Sequence, residues 1–294
     1  MKPVPFDYAC PDSVAEAVAL LHEHGEDAKV LAGGQSLMPM LNFRVVRPSF
    51  VVDLRSLVEL DYVRERADGG LSIGSMTKHR VMETSPLVTA RFPVIPEAMK
   101  HVAHLAIRNR GTIGGSLAHA DPASELPMLV RLLDGSIVVQ SVRGERVISA
   151  NAFFTGPLST VLAPDELLVR VDLPGLPRQG WAFEEFARRA GDLALAAVGV
   201  GVELERGCIR SLRVAMMGVA DMPLRLDAVE AALVGQEVGT EAFALAVAVA
   251  KATVQTREDL HASAAFRQHL AGVLLQRTLA RACATAAQLQ EVEA

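Results

Sequence analysis

One segment constrains this chain more than any other: Ala32-Gly33-Gly34-Gln35-Ser36. It follows Ala28-Lys29-Val30-Leu31, a short apolar run with polar flanks, and that pattern predicts a buried strand. Two adjacent glycines then let the backbone turn sharply and approach another group with no Cβ in between. Successive N–H groups in such a turn form an anion-binding concavity. Thr112-Ile113-Gly114-Gly115-Ser116 has the same character. A lone Gly-Gly is most often a plain loop. Two such turns can hold the two phosphates of a dinucleotide between them, and the pair with its neighbours favours that use.

The 294 residues, half of them hydrophobic, are enough for a large core and predict two domains. The net charge is −5 and no long basic run occurs, which argues against nucleic acid as a partner. No apolar stretch has transmembrane length, and the N-terminus lacks the basic-then-apolar order of a signal peptide. Cys10, Cys208 and Cys283 are odd in number and far apart, so they predict no disulfide framework and fit a reducing cytoplasm. Three thiols also fall short of the four an ordinary iron–sulfur cluster needs, so any such cluster belongs on another chain. His101 and His104 have helix-face spacing and His119 stands two before Asp121, but neither spacing is a metal signature, and no metal site is expected.

Taken in order, Ser13-Val14-Ala15-Glu16 has capping-box form. Val14, Val18 and Leu21 share a helical face, and Gly25 ends that helix. Phe50 to Leu54 reads as a second strand, closing a lobe of residues 1–55. Tyr62 to Arg66 and Leu71 to Gly74 predict strands around the turn Asp68-Gly69-Gly70. Pro96 to Ile107 predicts one helix, with Met99, Val102, Ala103 and Ala106 on one side. Asp121-Pro122-Ala123-Ser124-Glu125 opens another that runs to Gly135. Ser136 to Gln140 and Glu166 to Leu173 are further strands, and Pro174-Gly175-Leu176-Pro177 is the best linker.

Beyond the linker, Trp181 to Arg189, Leu193 to Leu204 and Ile209 to Met217 predict three long strands. Helices follow over 226–234 and 240–255 and from Ser263 onward. Strands first and helices afterwards predict a small α+β domain. No G-x-G-x-x-G with its acidic partner, no Walker sequence and no G-x-S-x-G elbow occurs, so the common dinucleotide, P-loop and nucleophile readings fail. Arg188-Arg189 reads as a solvated pair. The residues alone therefore end at an N-terminal part with two anion-cradling turns.

A resemblance carries further. Ala32 to Met40, continuing through Arg44, Arg47-Pro48 and Val52-Asp53-Leu54, resembles the first flavin motif of one family. Arg108 to Ser116 followed by Ala118-His119-Ala120-Asp121-Pro122-Ala123 resembles its second. Ile73-Gly74 with His79, Ala163 to Leu168, Ala187 to Asp192 and Ser263 to Leu274 match it in the same order. The family is the medium, FAD-carrying subunit of molybdenum hydroxylases such as carbon monoxide, nicotine and xanthine dehydrogenases.

The resemblance implies an α+β chain. A two-lobed FAD domain of the vanillyl-alcohol-oxidase (PCMH) type over 1–175, with lobes 1–55 and 56–175, precedes an α+β domain over 178–287 with a three-stranded antiparallel sheet. By the same analogy Lys29, Val30, Leu31, Ala32, Gly33, Gly34, Gln35 and Ser36, with Thr112, Ile113, Gly114, Gly115 and Ser116, hold the pyrophosphate and ribityl atoms. Val102, Glu125 and Leu168 match positions that touch the flavin or its adenosine half. The position of Ser116 is often asparagine in the family and that of Glu125 often aspartate, while a lysine common near Glu184-Glu185 is absent. The implied activity is electron relay in an oxidoreductase. Electrons come from [2Fe–2S] clusters on a small subunit, fed by a molybdenum cofactor on a large one, and pass to an external acceptor. The implied assembly is a dimer of heterotrimers, with no acid, base or nucleophile of this chain taking part. The alternatives are a free-standing FAD oxidase or reductase of the same fold, or a non-catalytic nucleotide-binding protein.

Overall fold

The computed structural model describes residues 2–293. The first lobe is a three-stranded parallel sheet in the order Asp7–Ala9, Phe50–Asp53, Ala28–Leu31. Helix Val14–His24 covers it, with the Ser13 hydroxyl accepting from the Glu16 N–H at 3.2 Å. The Glu16 carboxylate reaches back as expected, though it accepts from the Asp12 N–H rather than that of Ser13. Gly25, at φ +50, ends the helix in a left-handed conformation that an L side chain resists. Ala17, Val18 and Leu21 share one core with Val52 and Leu54, and with Val138, Leu167 and Val169 of the next sheet. The first lobe is thus fixed to the second by buried apolar surface.

The second lobe is a five-stranded antiparallel sheet: Val63–Glu65, Leu71–Gly74, Leu167–Leu173, Ser136–Ser141, Gly144–Ser149. Its outermost strand was not expected, because Gly144–Ser149 is largely exposed and has no apolar run. The helix expected over Pro96 to Ile107 is two helices, Val94–Met99 and Leu105–Arg108. Ala103 between them has φ 39, and the Arg108 guanidinium donates to the carbonyls of Val102 (2.7 Å) and Ala103 (3.1 Å). A side chain takes carbonyls that a continuous helix would satisfy from its own backbone.

The C-terminal part is a four-stranded antiparallel sheet in the order Gly180–Phe186, Ala196–Glu205, Cys208–Met217, Leu224–Arg225. The three long strands stand where the sequence puts them. The two-residue fourth, too short to leave a pattern, is added at the edge. Helices Asp227–Leu233, Thr240–Thr253 and Ala264–Glu293 follow, and the last packs on the first two strands of this sheet. No helix among the described residues is long and apolar enough to cross a membrane.

The other sheet face packs on the second lobe. Trp181, Phe183, Ala197, Ala215 and Met217 belong to the same core as Leu129, Leu132 and Phe153. A Cβ on Gly199 would lie 2.8 Å from Leu132 Cδ2, so the absent side chain lets helix Glu125–Leu132 sit against the sheet. Gly218 donates to the Pro122 carbonyl at 2.8 Å, and Arg225 to the carbonyls of Arg131 and Leu132 at 3.0 and 3.1 Å. These contacts fix helix Glu125–Leu132, and hence Glu125, against the C-terminal sheet.

Candidate cofactor site

Strand Ala28–Leu31 delivers the chain into Ala32–Ser36. Lys29 is exposed, whereas Val30 and Leu31 are half-buried. A Cβ on Gly33 would overlap the carbonyl oxygen of Arg110 and stand 2.8 Å from the Gly111 Cα. Gly34 has φ +73. The Gln35 side-chain amide donates to the Gly33 carbonyl at 3.0 Å, and Met38 N–H donates to the Gly34 carbonyl at 3.2 Å as helix Leu37–Asn42 begins. Among the described residues, the N–H groups of Gly33, Gly34, Gln35 and Ser36 donate to no protein acceptor. Four successive free donors are the raw material of an anion-binding concavity.

The second glycine segment is built differently. It is the first turn of helix Ile113–His119, capped by the Thr112 hydroxyl, which accepts from Gly115 N–H at 3.1 Å. Ile113 donates to the Thr77 carbonyl (3.0 Å), Gly114 to that of Ser75 (2.9 Å) and Ser116 to that of Thr112 (3.1 Å). Of the backbone donors expected to face phosphate, those of Ile113, Gly114, Gly115 and Ser116 are thus already satisfied within the protein. Its glycines serve close packing instead: Gly114 lies against Ser75, and a Cβ on Gly111 would be 2.8 Å from the His79 ring. The two segments do meet, since a Cβ on Gly115 would be 3.7 Å from the Ala32 Cβ. The first therefore supplies donors and the second a wall carrying the half-buried Ser116 hydroxyl.

Leu168 lies beside this wall, because Ser75 N–H donates to the carbonyl of the next residue, Val169, at 3.0 Å. Its side chain is buried in the core, which leaves its backbone as the part near the site. Two cations stand close by: Arg110, from the basic run Arg108-Asn109-Arg110 that leads into the second glycine segment, and Lys78, which no sequence motif marks. Lys78 is half-buried, and burial lowers its pKa; the charge of Arg110 acts in the same direction. Among the described residues neither Lys78 nor Arg110 forms an ion pair, and their positive charge favours an anion nearby.

Val102 and Glu125 both lie toward a second place, the seam with the C-terminal sheet. Val102 lies in the turn before helix Leu105–Arg108, where a Cβ on Gly191 would meet the Ala103 carbonyl at 3.0 Å. Glu125 opens its helix fully buried, and burial, with the charge of Asp121, pushes its carboxyl up to about 7. Burial and the charge of Glu125 push Glu185 up to about 8. Trp181, Phe183 and Glu185 alternate along strand Gly180–Phe186 toward this seam, and Glu185 Oε2 is buried with no partner. A cavity of about 180 Å3 opens here, lined by His101, Glu185, Ala187, Arg189 and Gly191. Neither Glu185 nor His101 was picked out for the site, since a charged residue at a strand end carries no signal of burial.

The donor set suits FAD: free N–H groups and unpaired cations for a diphosphate at one place, and a cavity with unpartnered carboxyl at the other. Residues 4–176 match the model of the FAD binding domain in molybdopterin dehydrogenase, and residues 181–282 that of the CO dehydrogenase flavoprotein C-terminal domain. The chain is 42% identical to caffeine dehydrogenase subunit beta of Pseudomonas sp. (strain CBB1), covering 96% of each. It is 39% identical to the nicotine 6-hydroxylase medium subunit of Paenarthrobacter nicotinovorans, over 96% of this chain and 99% of that one. Its fold superposes on carbon monoxide dehydrogenase from Hydrogenophaga pseudoflava with a TM-score of 0.94 at 38% identity, over 97% of this chain and 99% of that one. With both family models matched in order and relatives aligned almost end to end, the chain belongs to the FAD-binding medium subunits of the molybdenum hydroxylases, a family of oxidoreductase components.

Proposed function

We propose that this chain is the FAD-carrying electron-transfer subunit of a cytoplasmic, multi-subunit molybdenum hydroxylase. The observation that carries this reading at the level of the site is the run of free N–H groups at Gly33–Ser36, packed on Arg110 beside the Thr112–Ser116 wall. When bound, FAD supplies the redox chemistry, taking electrons from [2Fe–2S] clusters of a small partner subunit and passing them to an external acceptor. The protein's part is placement. Gly33 to Ser36 meet the diphosphate with backbone donors, Lys78 and Arg110 add positive potential, and Lys29 to Ala32 carry the turn on its strand. Thr112 to Ser116 form the facing wall with the Leu168 backbone, and Val102 and Glu125 meet the far end of the cofactor at the seam. We read residues 1–175 as the FAD domain, lobes 1–55 and 56–175, and 178–287 as the second domain. The large molybdopterin-binding subunit completes a heterotrimer with the small one, and two such trimers pair.

Acid precipitation of the purified, yellow protein tests the cofactor: FAD should appear in the supernatant. A colourless protein that takes up no FAD, or flavin retained in the precipitate, counts against non-covalent FAD. Purification from the native source should bring down a molybdopterin-containing and a [2Fe–2S] subunit. The single chain should hydroxylate nothing, and hydroxylation by it would favour a free-standing oxidase.

A further inference from the structure

His79 opens helix His79–Thr84 and is 6% exposed, its ring wedged beneath Gly111. Its Nε2 lies 3.1 Å from the Thr112 carbonyl oxygen and 3.0 Å from Ser116 Oγ. Its Nδ1 is buried with no partner. A carbonyl oxygen accepts only, so the proton belongs on Nε2 and the lone pair on Nδ1. A second proton on Nδ1 would be a buried, unpaired donor on a charged ring, with the nearby charges of Arg108 and Lys78 opposing it. Burial accordingly holds the ring down to about 4.

The consequence falls on Ser116. A serine inside a helix commonly turns its hydroxyl back to the carbonyl four residues earlier, which here is Thr112. That carbonyl already accepts from Ser116 N–H at 3.1 Å and, from the other side, from the imidazole. The hydroxyl oxygen lies against the same imidazole N–H, and Ser116 makes no other side-chain hydrogen bond among the described residues. Its hydrogen is left without a protein acceptor among the described residues, on a half-buried residue next to the Gly115 that Ala32 approaches.

We infer that His79 is a positioning residue: a neutral imidazole protonated on Nε2 that occupies the Thr112 carbonyl and turns the Ser116 hydroxyl hydrogen toward an anionic or hydroxylated ligand. The identity of that ligand as FAD rests on the function proposed above; the hydrogen-bond arrangement does not.

Nitrogen-15 NMR of the apo-protein tests the arrangement directly. The Nε2–H tautomer should persist from pH 5 to 8, and an Nδ1–H tautomer overturns the inference. FAD titration then reads the consequence. His79→Leu and Ser116→Ala should each weaken FAD binding by about tenfold, and the double variant no further, because both remove one donor. His79→Gln, which keeps an N–H near the Nε2 position, should stay within about threefold of wild type. A lower melting temperature for His79→Leu with unchanged FAD affinity, or additive losses in the double variant, overturns the inference in favour of a merely structural histidine. Failure of the wild-type chain to bind FAD at all would strike the proposed function, while the tautomer would still decide the role of His79.

Discussion

A Cβ on Gly33 would overlap the Arg110 carbonyl oxygen, so the first glycine segment is a contact between the two lobes before it is a binding loop. Its second glycine has a different reason: at φ +73, Gly34 needs freedom of backbone rather than of space.

The two glycines should therefore respond differently. Gly33→Ala forces the backbones of 33 and 110–111 apart, an overpacking cost of about 1–3 kcal/mol. That loss should appear as a lower melting temperature of the FAD-free protein. Gly34→Ala adds strain of about 1–2 kcal/mol and leaves the approach of the segments intact. Equal FAD affinity and apo-stability for wild type and Gly33→Ala would refute the lobe contact.

Glu125 should act on the cofactor rather than only on its helix. A hydrogen bond to the ligand is worth about 0.5–1.5 kcal/mol from the protonated carboxyl and roughly 1.5–3 kcal/mol once it ionises, against about 0.3–1 kcal/mol for a first-turn carboxylate on the helix dipole. Glu125→Ala should weaken FAD binding about tenfold or more, with 1.4 kcal/mol per decade, while the melting temperature at saturating FAD changes far less. Unaltered affinity beside a lower melting temperature would make it a helix residue alone.

The seam should make the FAD-free protein lose stability as pH rises. Glu125 and Glu185 hold protons more tightly folded, at about 7 and 8, than the ordinary carboxyl near 4.5 that the unfolded chain has. Their stabilisation is thus complete below about pH 4.5 and lost as pH climbs through 7 and 8. Glu185→Gln, a permanent neutral isostere, should flatten the fall in melting temperature between pH 6 and 8.5. An unchanged slope would mean the Glu185 carboxyl is not the titrating group.

Arg267 should be essential to the C-terminal fold. It is 1% exposed, donates to the carbonyls of Leu195 and Gly218 at 2.7 Å each, and pairs with Asp259 at 2.6 Å. Arg267→Met strands two buried carbonyls and should cost about 3 kcal/mol or more, read by chemical denaturation. A loss below 1 kcal/mol would show that water replaces the guanidinium.

Local chemistry made much of this protein legible in its sequence. The Ser13 cap, the glycine after a short apolar strand and the three long C-terminal strands each follow from residues close together in the chain. The family motifs likewise gave the glycine segments and the stretch around Glu125. What depended on distant partners was not legible. The break at Ala103 goes with the Arg108 guanidinium taking the Val102 and Ala103 carbonyls, and the N–H groups of Ile113 and Gly114 are satisfied by the distant carbonyls of Thr77 and Ser75. Glu185 looks like an ordinary surface carboxylate until the C-terminal sheet turns it onto the seam beside Glu125. Hydrogen-bond capacity is written in the sequence, but which partner uses it, and how much water remains around a charge, is decided only when the lobes close.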